Sequence, residues 1–289
     1  MKYVVRLKNI EEITELISMG ADVFLVDTPL AVKKVGLEMY DFLETIFSYG
    51  KEVYLLVNKM IHEEDINTLT KILLTAKDDR ITGVVAGDLT VMVKAGELGI
   101  AKKVIYQPGT MNTNSFDNEY FFLKDIKGIT ISKEITWAEI AKIFTVRKTE
   151  LSLVGHGFID MFYSKRKLLT NYFIFKNIVR ENIGENPNFR LNEEMRKDSY
   201  YPIFEDNGGT HVFRDLALES FDEVEELAKA LDDFFVERIF IGDEEYYDSL
   251  KVYNNQMSRE VFLEKYQGKY NKGFFYQSTE KIKGELDEN

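Results

Sequence analysis

The chain has 289 residues, of which 45% are apolar, enough to form the core of a full α/β barrel or of two small domains. It contains no cysteine, which excludes disulfides, thiolate zinc sites, cysteine nucleophiles and cysteine-ligated iron–sulfur clusters. The net charge of −12 on average opposes non-specific binding to nucleic acid, and no DNA partner is expected. No apolar run resembles a signal peptide or is long enough to cross a bilayer, so we expect a cytoplasmic protein with no membrane partner.

Eight short apolar runs along the chain predict β-strands, and helical patterns lie between them. Asn9, Thr136 and Ser220 each precede a glutamate by three residues, which is the pattern of a helix start, and Gly20 ends the first helix. Alternating strands and helices imply parallel pairing, so the sequence predicts a (β/α)8 TIM-barrel-like fold, with an open doubly wound parallel sheet as the alternative. The predicted strands begin at Tyr3, Val23, Val53, Thr82, Val104, Gly128, Leu151 and Arg238.

The alternation breaks between residues 172 and 215, which we interpret as an insertion. Near residues 198–215 two short strands are predicted around an Asp206-Asn-Gly-Gly turn, with His211 on the second strand. Residues 273–279 are predicted to be extended, within a C-terminal extension that covers residues 268–289 and ends in a polar, fraying tail. No linker separates two halves, so residues 1–289 are interpreted as one domain.

Residues 151–171 are predicted to form a strand, a tight Gly155-His156-Gly157 turn and a basic amphipathic helix that begins at Phe158. The carboxyl ends of strands are where α/β barrels bind their ligands, and flanking glycines allow close approach. His156 is therefore the principal catalytic candidate. A histidine that caps the end of a sheet explains the same pattern.

The segment around His156 is also the cationic part of the chain, since residues 151–180 contain five basic residues and one acidic residue. Lys165 and Arg166 are predicted to hold an anionic ligand locally, because guanidinium and ammonium groups bind carboxylates and phosphates. A solvated basic helix face is the alternative.

Three predicted strands end in aspartate, at Asp27, Asp88 and Asp243. Asp88 and Asp243 precede helical patterns, so helix capping explains them. Asp27 has no such explanation and is retained as a substrate-binding candidate.

Polar loops follow the fifth and sixth strands. Gln107, Asn112 and Asn114 are predicted to orient a polar substrate, although turn formation accounts for them equally. In the Ser132-Lys-Glu134 segment, a lysine or glutamate can act as an acid or base if the site shifts its pKa. Glu134 is the second catalytic candidate, and a solvated Lys–Glu pair is the alternative.

Several familiar catalytic and nucleotide-binding motifs are incomplete or absent in this sequence. His62-Glu-Glu-Asp-Ile66 begins like a zinc-protease motif, but Ile66 stands where the second histidine ligand is required. No GxSxG, GxxxxGK[ST] or GxGxxG motif occurs. A metal site built from His156, His211, Glu205 and Asp206 would need the hairpin to fold over the barrel mouth, so no metal ligands are predicted and a divalent metal requirement stays open.

Three segments resemble a known family: GHGFIDMFYSKRKLLTNYF from Gly155, residues 201–211, and residues 273–279. They are similar to signature regions of the peptidase U32 family. Members of that family are labelled peptidases or collagenase-like proteases of unassigned catalytic type, or take part in oxygen-independent hydroxylation of wobble uridine in transfer RNA or of quinone precursors. Hydroxylating members that use an iron–sulfur cluster hold it with cysteines, which this chain lacks.

The resemblance implies three alternative functions. The first is an enzyme or subunit of tRNA wobble-uridine 5-hydroxylation without its own cluster, which binds tRNA or a small anionic molecule. His156 would be its acid–base group, and Lys165, Arg166, Gln107, Asn112, Asn114, Asp27 and His211 would bind the substrate. The second is a hydrolase of the peptidase type, in which His156 and Glu134 activate water. The third is a non-catalytic partner of a cysteine-bearing paralogue.

Overall fold

The computed structural model describes residues 1–36, 39–178 and 188–277. Strands β1–β7 and β11 are parallel and form a closed barrel, because β11 pairs with both β7 and β1. The predicted TIM barrel is thus confirmed, and the open sheet is wrong. The strands are β1 (Lys2–Arg6), β2 (Val23–Asp27), β3 (Glu52–Val57), β4 (Ile81–Ala86), β5 (Val104–Tyr106), β6 (Gly128–Ile131), β7 (Glu150–Ser164), β8 (Arg190–Glu193), β9 (Arg196–Asp206), β10 (Gly209–Leu218), β11 (Asp233–Val236) and β12 (Tyr270–Asn271).

Helices connect the strands and begin largely where the sequence signals predict. The Thr136 hydroxyl and the Glu139 carboxylate form the predicted capping box, and Gly20 has a φ of +94° at the end of the first helix. None of the helices within the described ranges has the length and apolar character needed to span a bilayer. The helices are α1 (Ile13–Ser18), α2 (Leu43–Phe47), α3 (Ile66–Thr75), α4 (Leu89–Glu97), α5 (Ser115–Phe122), α6 (Trp137–Thr145), α7 (Leu168–Phe175), α8 (Val224–Ala230), α9 (Asp243–Tyr253) and α10 (Arg259–Lys265).

Two details near the end of the barrel differ from the predictions. The eighth strand is β11 and not the run at Arg238, whose guanidinium is buried against the carboxylate of Glu12. Asp243 therefore begins α9 and does not end a strand. The Ser220 hydroxyl does not cap α8 but donates a hydrogen bond to the Gly155 carbonyl at 2.6 Å.

Apolar residues fill both sides of the barrel wall, as expected for parallel strands that are covered by helices. Alternate strand residues, among them Leu25, Tyr54 and Phe235, fill the barrel interior. Their neighbours Phe24, Val53 and Phe234 pack outward against the helices. This two-sided burial explains why the strand runs are continuously apolar.

Strand β7 contains a bulge at the Gly-His-Gly sequence. Val154 pairs with Phe235 and His156 pairs with Val236, so Gly155 is an additional residue in β7. A Cβ atom at Gly155 would lie 2.0 Å from the Phe234 ring, so only glycine fits there without movement. The predicted turn is wrong because the strand continues to Ser164, and the predicted helix start at Phe158 is replaced by α7.

The carboxyl half of β7 extends beyond the barrel and begins an antiparallel sheet. It pairs with β10, which pairs with β9, and β9 pairs with β8. The predicted hairpin around residues 198–215 is thereby confirmed, with His211 on β10. Residues 273–276 form a turn, so the extended conformation predicted there is wrong, and residues 278–289 lie outside the described ranges.

Candidate active site at the barrel mouth

A cavity of about 410 Å³ opens at the carboxyl ends of the barrel strands. Its wall comes from the segments that follow β2 to β6, from the extension of β7 and from β10. A smaller adjoining space of about 50 Å³ reaches Arg6 and Glu237. The polar side chains that line the main cavity include Lys33, Asn58, Gln107, Lys133, Asp160 and His211.

Lys133 is the unpaired cation of this cavity. It follows β6 by two residues, and among the described residues its ammonium group has no hydrogen-bond or ion-pair partner. Burial lowers the pKa of Lys133, and the nearby Asp160 carboxylate offsets part of this effect. A partly desolvated, unpaired amine can bind an anion or act as a base or nucleophile.

Asp160 and Lys33 form an ion pair beside Lys133. The Lys33 ammonium contacts Asp160 Oδ2, while the Lys33 backbone N–H donates to Asp206 Oδ2 at 2.6 Å. Burial raises the pKa of Asp160, but Lys33 and Lys133 outweigh it, so the pKa is held below its usual value. Asp160 is therefore an ionised carboxylate between two lysines.

His211 forms the wall of the cavity next to this pair. Its ring stacks on Tyr163 with centroids 4.8 Å apart, and its Nε2 lies 3.4 Å from Asp206 Oδ1. Its Nδ1 is 3.9 Å from Asp160 Oδ2 and has no hydrogen-bond partner in the described chain. The structure thus brings this predicted substrate-binding residue to the cavity.

Amide side chains complete the polar lining. Gln107, a predicted site residue, donates from Nε2 to the Thr130 hydroxyl at 3.2 Å. Asn58 Oδ1 accepts from the backbone N–H of Val32 at 2.7 Å. Asn58 was not predicted as a site residue, although its position directly after β3 was a usable signal. Lys33, in the loop after β2, and Asp160, whose direction depends on the irregular course of β7, were not predicted either.

His156 lies outside the cavity lining. It is fully buried among Phe221, Tyr253, Phe262 and Tyr270, and its Nδ1 is 3.3 Å from the Tyr253 hydroxyl. Burial lowers its pKa to about 3, so the ring is neutral at pH 7. The bulge at Gly155 directs His156 toward the helices and not into the barrel mouth. Its catalytic role remains a prediction that this geometry does not support.

Three other predicted substrate-binding residues also lie away from the cavity lining. Asp27 is buried in an ion pair with Arg6, at 2.5 Å. The Asn112 amide donates to the Thr130 carbonyl at 3.0 Å and holds the loop after β5. Asn114 caps α5 by accepting from the backbone N–H of Phe116 at 2.9 Å. Each has a structural partner that accounts for its polarity.

The remaining predicted site residues do not line the cavity. Glu134 is half-buried, and burial raises its pKa. It is not among the contacts of His156, so the proposed water-activating pair is not assembled. Lys165 contacts the His62 ring, and the Arg166 side chain is exposed.

The described ranges contain no group of three or more histidine, aspartate or glutamate side chains that could hold a metal ion. Glu205, a member of the set considered from the sequence, instead accepts from the backbone N–H of Leu169 at 2.9 Å. The donor set of the chain, which lacks cysteine, does not fit a thiolate-bound iron–sulfur cluster.

Comparison with known proteins identifies relatives along almost the whole chain. A family model described as peptidase family U32 matches residues 8–285. The chain is 26% identical over 294 residues to tRNA hydroxylation protein P2 of Bacillus subtilis, covering 93% of this chain and 95% of that protein. It is 24% identical over 273 residues to an uncharacterized protease of Methanocaldococcus jannaschii, covering 84% of this chain and 64% of the other, less than two thirds of its length.

Among solved structures, thiamine phosphate pyrophosphorylase from Pyrococcus furiosus is similar, with a TM-score of 0.46 and 11% identity over 92% of this chain and 96% of that one. The family model begins directly after β1 and covers the other barrel strands, the β7 extension and β10, which supply the lining of the cavity. The chain belongs to the peptidase U32 family.

Proposed function

We propose that this protein takes part in the 5-hydroxylation of wobble uridine in transfer RNA, as an enzyme or as a subunit of the hydroxylating assembly. The observation that carries the proposal is the match to a tRNA hydroxylation protein over 93% of this chain and 95% of that relative. Because the match covers nearly the whole length of both chains, the relative is long enough to form the same barrel and the same hairpin. The lack of cysteine means that any iron–sulfur cluster in the assembly belongs to another chain.

In this proposal the barrel-mouth cavity binds a small polar molecule that carries a carboxylate or phosphate. Its volume of about 410 Å³ lies within the usual range for small-molecule sites. Lys133 supplies the unpaired positive charge, and Gln107 and Asn58 supply amide groups that orient the ligand. The Lys33–Asp160 ion pair holds the neighbouring wall in place.

Peptidase activity is the second candidate, favoured by the similarity to an uncharacterized protease over 84% of this chain. The predicted pair of His156 and Glu134 cannot activate water together for this activity, because these side chains are not in contact. In the cavity, Asp160 and Lys133 are the groups with which a peptidase would have to activate water.

The test is mass spectrometry of transfer-RNA nucleosides from a strain that lacks this gene and is complemented with variants. We expect deletion to remove hydroxylated wobble uridine and wild type to restore it. Lys133→Gln should fail to restore it, because the variant loses the cation that anchors the ligand. Lys142→Gln is the matched control, since Lys142 is exposed on α6.

Each alternative has its own outcome. Unchanged nucleosides in the deletion strain would refute the proposal, and peptide release by the purified protein would then be measured with the same variants. Full restoration by Lys133→Gln would point to the non-catalytic alternative, in which this chain supports a cysteine-bearing paralogue.

A further inference from the structure

A surface at the cavity rim combines exposed cations with exposed aromatic rings. We call it the α7 patch and define it as Lys165, Arg166, Lys167, Tyr172, Phe175 and Lys176, all of which are exposed. Tyr172 and Phe175 retain 54% and 77% of their accessible surface, so both rings are open to a partner.

The four cations of the α7 patch lack acidic partners. Within the described ranges none of them forms an ion pair, although the chain carries a net charge of −12. Lys165 contacts the imidazole ring of His62, which is not an acidic group. This local excess of positive charge is available to an anionic partner.

The aromatic rings and one of the cations form a single face of α7. Tyr172 and Phe175 are three residues apart and therefore neighbours on the helix. The Lys176 ammonium lies 5.9 Å and 5.6 Å from their ring centres. The helix is anchored by the buried side chain of Leu169, next to this face, and by the Glu205 carboxylate, which accepts from the Leu169 N–H.

The α7 patch adjoins the cavity. Residues 161–163 line the cavity and lead directly into Lys165. The Lys165 ammonium reaches His62, which follows the cavity-lining residues Asn58 and Met60 on another side of the mouth. A ligand on the patch is therefore next to the cavity opening.

We propose that the α7 patch binds the single-stranded loop of an RNA. Lysine and arginine side chains bind backbone phosphates, and exposed aromatic rings stack with unpaired bases, which a duplex keeps hidden. A protein partner would have to supply a separate acidic side chain for each of the four cations, whereas an RNA loop carries one phosphate per nucleotide beside its unpaired bases, which favours RNA as the occupant. The inference rests on the proposed function and identifies where its RNA substrate is held.

The test is fluorescence anisotropy with a labelled RNA stem–loop that contains uridine in its loop, compared with a duplex of the same length. We expect the wild type to prefer the stem–loop. Neutralisation by K165Q, R166Q and K167Q together should weaken binding by about tenfold or more and reduce the slope of log affinity against log salt by about 2. Tyr172→Ala with Phe175→Ala should weaken binding by about fivefold or more without changing that slope.

The control variant combines K71Q, K77Q and K142Q, which remove the same charge from exposed positions elsewhere on the barrel. It should bind RNA with near wild-type affinity, and circular dichroism should show that all variants fold. Wild-type RNA affinity in both patch variants would overturn the inference and assign the exposed rings to a protein contact.

The two proposals fail in different ways. Patch-dependent RNA binding together with unchanged nucleosides in the deletion strain overturns only the hydroxylation proposal. Loss of hydroxylated uridine on deletion, with RNA binding that does not depend on the patch, overturns only the inference about the α7 patch.

Discussion

At the scale of single residues, two side chains that are adjacent in the sequence can lie in different environments. Lys133 lines the cavity, whereas Glu134 beside it does not. The sequence located this pair by its position after the sixth strand, and burial then shifts the two pKa values in opposite directions, lowering that of Lys133 and raising that of Glu134. Which of the two side chains faces the cavity depends on the loop conformation, which no local pattern reveals.

The burial of His156 predicts a pH dependence of stability. Its pKa is about 3 in the folded protein, against an ordinary value of 6.5 that we take for the unfolded chain, so the unfolded chain binds a proton that the folded chain excludes. The wild type should therefore lose stability as the pH falls below about 6.5, by about 2 kcal/mol at pH 5. His156→Phe removes this loss. Urea unfolding at about pH 7.5 and pH 5 should show that lowering the pH raises the free energy of unfolding of the variant relative to that of the wild type by about 2 kcal/mol.

An equal stability difference between His156→Phe and wild type at both pH values would contradict the burial of a neutral ring. Nucleoside analysis of the same variant tests the other prediction for this residue. If His156→Phe folds but does not restore hydroxylated uridine, the catalytic assignment from the sequence gains support despite the distance from the cavity lining.

Among the elements, strand β7 and its bulge decide which side chains reach the cavity. The additional residue Gly155 turns His156 outward. Phe158 and Asp160 nevertheless lie on the cavity side, and Gly157, with a φ of +110°, separates them from His156. Side chains alternate along a regular strand, so the inserted residue Gly155 exchanges the face of His156, and the alternation changes again at Gly157. The sequence pattern of Gly-His-Gly is typical of a turn and gives no indication that the strand continues.

Gly155→Ala should destabilise the protein by about 1 to 3 kcal/mol, because its Cβ would lie 2.0 Å from the Phe234 ring and force the packing to shift. Urea unfolding measures this change. Gly96→Ala is the control, since that helical glycine has open space around it and should be neutral or stabilised by up to about 1 kcal/mol. If Gly155→Ala and Gly96→Ala have the same free energy of unfolding, the bulge accommodates a side chain and the prediction is wrong.

Across the molecule as a whole, closure of the barrel brings distant polar residues together. Tyr54 on β3 donates from its hydroxyl to Asp233 on β11 at 3.0 Å, across the barrel interior. Burial raises the pKa of Asp233 to about 6, while the Tyr54 hydrogen bond opposes the shift. The ionised carboxylate is thus destabilising in the closed barrel at neutral pH.

Asp233→Asn should stabilise the protein at pH 7 by about 3 kcal/mol, because the amide oxygen still accepts from Tyr54 and no buried charge remains. The sign follows from a folded pKa of about 6 against the ordinary aspartate value of 3.8: wild-type stability falls as the pH rises from about 4 to about 6. The gain should therefore vanish at about pH 4 in urea unfolding. Destabilisation at pH 7 would contradict the raised pKa.

Local patterns in the sequence were sufficient to predict the barrel class, the hairpin with His211, the capping box at Thr136 and the family, because these depend on periodicity, turn chemistry and motif. The composition of the cavity depends instead on tertiary contacts. Lys33, Lys133, Asp160 and His211 come from four separate parts of the chain and meet when the barrel closes and β7 extends over its mouth. The direction of each side chain depends on strand register, which the irregular residues Gly155 and Gly157 change along β7.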